Sequence, residues 1–230
     1  ATDLALVRGL CDAGVPHSLV IHGHVSRAAD RRFVDGDFGR SRVLVWNQDQ
    51  ASAIIAKGAR PDRVVVTGNP DWDQLVERGS RAAERSAARK RVARELGLEE
   101  ARPLFVLTSQ EQVAPLAKDV VEAVLRSPAA QMVIKVHPAE DAGPYHAAAA
   151  GSDGRARVVT TGGPALHDLL HAADAVLTFH STTNLEAVCL GTPVVSLAMG
   201  PLRGVDRLVA LEQSGLPVAE TCGALAEVVE

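Results

Sequence analysis

Residues 173–196 read ADAVLTFHSTTNLEAVCLGTPVVS, and the fold turns on this stretch. An apolar run at 175–179 ends at three small hydroxyl residues, Ser181, Thr182 and Thr183. A short amphipathic segment carrying Asn184 and Glu186 follows, then Gly191-Thr192-Pro193 and a second apolar run at 194–198. The pattern reads as strand, hydroxyl-rich turn, helix, Gly-Pro break and strand. Such a turn sets unpaired backbone N–H groups and hydroxyls at a helix start, where the dipole favours an anion. Glu186 stands one turn inside, placed to accept hydrogen bonds from sugar hydroxyls. These features suit a nucleotide diphosphate and its ribose. They also suit an ordinary βαβ unit with a capping hydroxyl and a solvent-facing glutamate.

Working outward, strands alternate with helices on both sides. Before the key stretch come a strand at 104–108, a helix at 113–125, a strand at 132–136, a short helix near 145–150, a strand at 157–160 and a helix at 165–171. After it, 215–218 reads as a short strand and 222–230 as a helix. The strands are apolar runs rather than alternating ones, which predicts a parallel sheet covered on both faces. Ligands in such sheets bind outside the carboxyl ends of the strands. Ser109-Gln110, His137-Pro138, Thr161-Gly162-Gly163 and the turn at Ser181 each follow a strand directly, so four polar turns are expected to meet at one crevice.

Towards the N-terminus the reading is a helix at 4–13, a strand at 18–21 leading into His22-Gly23-His24, an irregular Arg/Asp/Gly-rich segment at 25–40, a strand at 42–46, a helix at 49–57 and a strand at 63–67. A polar, charge-dense helix at 80–96 reads as a solvated surface helix and as a boundary between domains. The expected organisation is an incomplete N-terminal Rossmann-like domain at 1–74 and a C-terminal one at 75–230. No strand precedes the first helix, so the chain is expected to be a fragment or to be trimmed at its N-terminus.

The composition narrows the function. In 230 residues, hydrophobic content is 47% and charged content 23%, which predicts a packed core rather than disorder. Aromatic content of 3% and a net charge of −4 argue against a nucleic-acid surface. Cys11, Cys189 and Cys222 are far apart and fit neither a disulfide framework nor a metal spacing, which suggests a reducing, cytoplasmic setting. No run is long enough for a membrane span. No histidine pair has a zinc-binding spacing, and neither a Walker A nor a GxGxxG pattern occurs, so no metal or cofactor is expected.

The motifs resemble the GT-B glycosyltransferase-like superfamily, which includes nucleotide-sugar glycosyltransferases, UDP-N-acetylglucosamine 2-epimerases and CDP-glycerol glycerophosphotransferases. VVVTGNPDWDQL at 64–75 looks like the segment linking the two Rossmann-like halves. KVHP at 135–138 is similar to a strand-end His-Pro of the glycerophosphotransferases and epimerases. HSTTNLEAVCLGTPVV at 180–195 resembles the nucleotide-binding turn and helix. IHG at 21–23 resembles a His-Gly that in several of these families supplies the catalytic base or contacts the acceptor. The turn departs from the epimerases, which carry Ser-Gly-Gly where Thr182-Thr183-Asn184 stands, and from the glycerophosphotransferases, which have Ser-Ser. The resemblance runs over essentially the whole chain, with only the last part of the N-terminal half represented.

What the resemblance implies is transfer from a nucleotide-activated sugar or alditol phosphate to an acceptor hydroxyl, in bacterial surface or capsule polysaccharide synthesis. His22 and His137 are the candidate catalytic residues. Ser109, Gln110, Ser181, Thr182, Thr183 and Glu186 are the candidate donor-binding residues. His22 would take the acceptor proton, and His137 would contact the donor phosphates; each also suits a structural role at a strand end. A hydrolysing UDP-sugar 2-epimerase and a non-catalytic nucleotide-binding module are the alternatives. The expected partner is the nucleotide-linked donor, with no nucleic acid; peripheral association with a membrane stays open.

Overall fold

The computed structural model describes residues 4–21, 40–110, 113–179, 181–200 and 216–229. The chain divides into two compact units, with a break between Pro70 and Asp71. The first contains α1 (Leu4–Asp12), β1 (Ser18–Val20), β2 (Arg42–Val45), α2 (Gln48–Ala56) and β3 (Val64–Val66). Its strands are parallel in the order β1-β2-β3. Val43 and Val45 of β2 point at Ala51 and Ile54 of α2, and this packing is the core of the unit. Asn47 starts α2 by accepting the Gln50 backbone N–H at 2.9 Å.

The second unit contains α3 (Asp73–Gly79), α4 (Ala82–Leu96), β4 (Leu104–Thr108), α5 (Ala117–Leu125), β5 (Gln131–Lys135), α6 (Gly143–Ala149), β6 (Ala156–Val159), α7 (Leu166–Ala172), β7 (Ala175–Thr178), α8 (Thr183–Cys189), β8 (Val194–Leu197), β9 (Val218–Ala219) and α9 (Cys222–Val229). Its six strands run parallel in the order β6-β5-β4-β7-β8-β9. From β4 the chain winds outward to β6 with α5 and α6 on one face. It then crosses by α7 on the other face to β7 and winds outward in the opposite direction. The strand order therefore reverses between β4 and β7, the place where doubly wound sheets open a ligand crevice.

Each face has its own core. Phe105, Leu107, Met132, Ile134, Leu177 and Val195 pack under α5, α6 and α9. Val106, Val133, Val176 and Val194 pack under α3, α4, α7 and α8. All five residues of β4 are buried, which explains why it reads as an unbroken apolar run. The segment expected as a helix from 113 opens instead with a 3-10 turn at Ala114–Leu116, because Pro115 has no N–H to give to an α-helical ladder.

The charge-dense helix is a surface element, as expected, with most of its residues exposed or half-buried and one face turned inward. It is α4, and it lies inside the second unit, packed on α7 with Ala88 and Val92 fully buried. Its arginines reach the end of α7. Arg89 donates to the carbonyls of Ala172 at 2.9 Å and Glu100 at 3.1 Å, to that of Arg102, and to Asp174 at 3.1 Å. Arg85 donates to the Ala173 carbonyl at 2.8 Å. Helix carbonyls that have no partner within α7 are thus satisfied by guanidinium groups, whose positive charge suits a helix C-terminus. At its own C-terminus α4 stops at Gly97 (φ 63°), with the Leu98 N–H returning to the Ala93 carbonyl at 2.8 Å.

Candidate functional site

The strand register builds a polar row at the carboxyl edge of the second sheet. Lys135 of β5 is paired with Thr108 of β4, Thr108 with Thr178 of β7, and Thr178 with Ser196 of β8. Side chains alternate along a strand, so these four share the face of Val133, Val106, Val176 and Val194, two residues earlier. The apolar layer under α7 and α8 therefore stops one layer short of the edge and gives way to hydroxyls and an ammonium. Thr108, Thr178 and Ser196 are 4%, 0% and 6% exposed. Lys135 is half-buried, donates to the Thr160 carbonyl at 2.6 Å, and burial lowers its pKa.

At the point where the strand order reverses, α8 closes over this row. The Thr183 hydroxyl meets that of Thr108 at 3.2 Å, tying the start of α8 to the end of β4. The turn itself departs from the expected set of free N–H donors. The Thr183 N–H goes to the Ser181 hydroxyl at 3.3 Å, the Asn184 N–H to the Ser181 carbonyl, and the Leu185 and Glu186 N–H groups to the Thr182 carbonyl. A tight first turn consumes these donors locally. The groups it leaves for a ligand are side-chain ones: Thr182 makes no capping bond, and the fully buried Asn184 has an Oδ1 with no partner among the described residues. The Asn184 amide is held by the Phe179 carbonyl at 3.2 Å.

The ends of β4 and β5 carry a second hydrogen-bonded group. The Ser109 hydroxyl donates to Glu140 Oε2 at 2.5 Å and accepts the His137 backbone N–H at 2.9 Å. The Tyr145 hydroxyl donates to the same Oε2 at 2.8 Å. Tyr145 is fully buried, and its pKa is raised by burial and by the neighbouring Glu140 carboxylate. Ser109 is 5% exposed and its single proton is committed to Glu140, so it ties the two strand ends together. His137 is exposed, and its Nδ1 accepts the Ala139 N–H at 3.2 Å. A backbone N–H can only donate, so neutral His137 carries its proton on Nε2 and presents a donor to the solvent side.

Ser109, His137 and Ser181 thus lie at the same edge, at the ends of three neighbouring strands, as the alternation of strands and helices predicts. Gln110, half-buried, follows Ser109 at this edge. Glu186 sits in the first turn of α8 with Oε2 bonded to His167 Nε2 at 3.1 Å. In the first unit His17 Nε2 bonds the Ser41 hydroxyl at 2.7 Å. His22, the other candidate catalytic residue, lies outside the described residues, as do His24 and His180. Sequence reasoning missed Glu140, Tyr145 and the row formed by Thr108, Thr178 and Ser196. Its one visible trace is that a Thr or Ser stands at or near the end of three apolar runs.

Two parallel α/β units, the second doubly wound with a polar row at its reversal point, are the architecture of the GT-B superfamily. The sequence profile of the UDP-N-acetylglucosamine 2-epimerase family matches residues 41–213, and the chain belongs to that family. Solved structures agree on the fold. The Neisseria meningitidis UDP-GlcNAc 2-epimerase bound to UDP-GlcNAc superposes with a TM-score of 0.69 at 14% identity, covering 98% of this chain and 63% of that one. Anabaena HepE in complex with UDP and glucose gives 0.65 at 15% identity, covering 98% and 64%. The wall teichoic acid polymerase TagF gives 0.60 at 14% identity, covering 94% and 58%. The chain therefore spans less than two thirds of the length of these relatives. No curated protein matches the sequence significantly. Among the described residues no helix is long and apolar enough to cross a membrane.

Proposed function

We propose that the second unit binds a nucleotide-activated sugar or alditol phosphate at the crevice between β4 and β7, and that the chain takes part in transferring the activated group to an acceptor hydroxyl. The observation that carries this reading is the polar row Lys135–Thr108–Thr178–Ser196, capped by Thr183, at the reversal point of the sheet. Thr108 and Thr178 are bonded to Thr183 and to the Phe179 carbonyl, so the row is the polar support on which the turn at Ser181 and Thr182 rests. The hydroxyls of Ser181 and Thr182 and the ammonium of Lys135 are the groups for the phosphates. His137, with its donor on Nε2, would hydrogen-bond the departing phosphate as negative charge develops there. The setting would be surface polysaccharide synthesis in the cytoplasm of a bacterium.

The family match favours a second reading, a hydrolysing UDP-sugar 2-epimerase. Both readings share the binding of the nucleotide-linked sugar and the release of its nucleotide. Titration calorimetry with UDP, CDP, GDP and dTDP tests the shared part. At least one should bind, and replacing Thr182 and Thr183 by Leu should weaken it by about tenfold or more with the fold retained, since strand-end turns contribute contacts rather than core. Unchanged affinity for every nucleotide in that variant would remove the site. Incubation of a UDP-sugar with and without an acceptor then separates the readings: nucleotide release that needs an acceptor hydroxyl supports transfer, and release in water alone supports the epimerase.

A further inference from the structure

The pair formed by His167 and Glu186 joins the first turns of α7 and α8, and both turns lie at the carboxyl edge of the sheet. Glu186 Oε2 is 3.1 Å from His167 Nε2, while neither Glu186 Oε1 nor His167 Nδ1 has a partner among the described residues. The Glu186 side chain keeps 19% of its exposure and that of His167 43%, so the pair is accessible to a ligand without being free in solvent. The next residue, Asp168, accepts hydrogen bonds from Arg78 of α3 and from Arg91 of α4, the latter at 3.0 Å. Burial alone would raise the Asp168 pKa, but these bonds outweigh it and hold the carboxylate below its usual range. The first turn of α7 is thus clamped from two other helices. His167 stands on a fixed support, and Glu186 leans on His167.

We infer that His167 is a positioning residue for Glu186, holding one carboxylate oxygen so that the other is presented to the ribose diol of a bound nucleotide. The inference rests on the nucleotide reading of the crevice and adds to it a residue that touches no ligand. A glutamate on a helix surface has three side-chain torsions to fix before it can receive a diol, and fixing them beforehand lowers the cost of binding. A purely structural tie between α7 and α8 would affect the fold and every ligand alike. A positioning role affects only the part of the affinity that depends on the ribose.

The experiment compares UDP with inorganic pyrophosphate by calorimetry, for the wild-type protein, His167→Leu, His167→Gln and Glu186→Ala, with thermal unfolding as a check on folding. If the inference holds, His167→Leu weakens UDP by about five- to tenfold and pyrophosphate by less than about twofold, in the range of one net hydrogen bond. His167→Gln, which keeps a donor towards Glu186, restores most of the loss. Adding His167→Leu to Glu186→Ala costs nothing further. Equal weakening of both ligands, or no change in UDP affinity, overturns the positioning role while leaving the nucleotide site standing. A wild-type protein that binds neither UDP nor any other nucleoside diphosphate overturns the reading of the crevice, and this inference with it.

Discussion

Gly79, the last residue of α3, sits against the backbone of α8. A Cβ built there would lie 2.6 Å from the Cys189 carbonyl oxygen and 2.7 and 2.8 Å from two backbone atoms of Leu190. Ordinary contact begins near 3.4 Å, so Gly79→Ala requires α3 and α8 to part by about 0.8 Å. No side-chain rotation can relieve this, because all three neighbours are main-chain atoms. Leu75 of α3, Ala187 of α8 and Leu190 just after it belong to one core and would be pulled apart with the helices. Overpacking of this kind costs about 1–3 kcal/mol, only partly offset by the better helix propensity of alanine at a helix end. Chemical denaturation followed by far-UV circular dichroism should therefore show a loss of about 2 kcal/mol, or a fall in Tm of roughly 4–8 °C. UDP affinity should drop too, since α8 carries Thr183 and Glu186. Gly223→Ala is the control: in α9 the nearest atom to the new methyl is 3.7 Å away, so that change should leave stability unchanged or raise it by up to about 1 kcal/mol. A Gly79→Ala protein as stable as the wild type, beside a well-behaved Gly223→Ala, would refute the close approach of α3 to α8.

His171 is fully buried with neither ring nitrogen partnered among the described residues, and burial, with Arg78 and Arg85 nearby, lowers its pKa although Glu84 and Asp168 act in the opposite sense. The unfolded chain binds the proton more readily, so stability should be full above about pH 6.5 and decline as the pH falls from there towards the lowered folded value. His171→Leu should flatten that decline in denaturation curves taken across the range; an unchanged slope would clear His171 of the effect. Tyr145→Phe removes one of the two donors to Glu140 Oε2 in a buried setting. It should cost about 1–2 kcal/mol in urea unfolding while leaving the secondary structure intact.

The order of strands and helices in the second unit was legible because each element there is either an apolar run or an amphipathic one, with Gly and Pro between them. β4 and β7 are examples. α4 was legible as a surface helix but its inward face was not, because Ala88, Val92, Ala93 and Leu96 stand scattered among charged residues and its arginines look like solvated charge. Only the folded chain shows Arg89 closing on the end of α7 eighty residues away in sequence. The gathering of Ser109, His137 and Ser181 at one sheet edge was legible from polar residues following strands. The rest of that edge was not, since Thr108, Thr178 and Ser196 become neighbours through register, and Glu140 reaches Ser109 only once β4 and β5 are paired. Backbone donors at Ser181 to Glu186 were overestimated because a sequence does not reveal how tightly a first turn closes on itself.

The row of Lys135, Thr108, Thr178 and Ser196 has an evolutionary consequence. Threonine and valine have nearly the same shape, so each threonine in the row is one isosteric exchange away from extending the valine layer beneath it. That exchange would nonetheless break a hydrogen bond, because the Thr108 hydroxyl meets that of Thr183 and the Thr178 hydroxyl donates to the Phe179 carbonyl. Drift of either threonine towards valine is therefore opposed by the fold itself, before any ligand is considered.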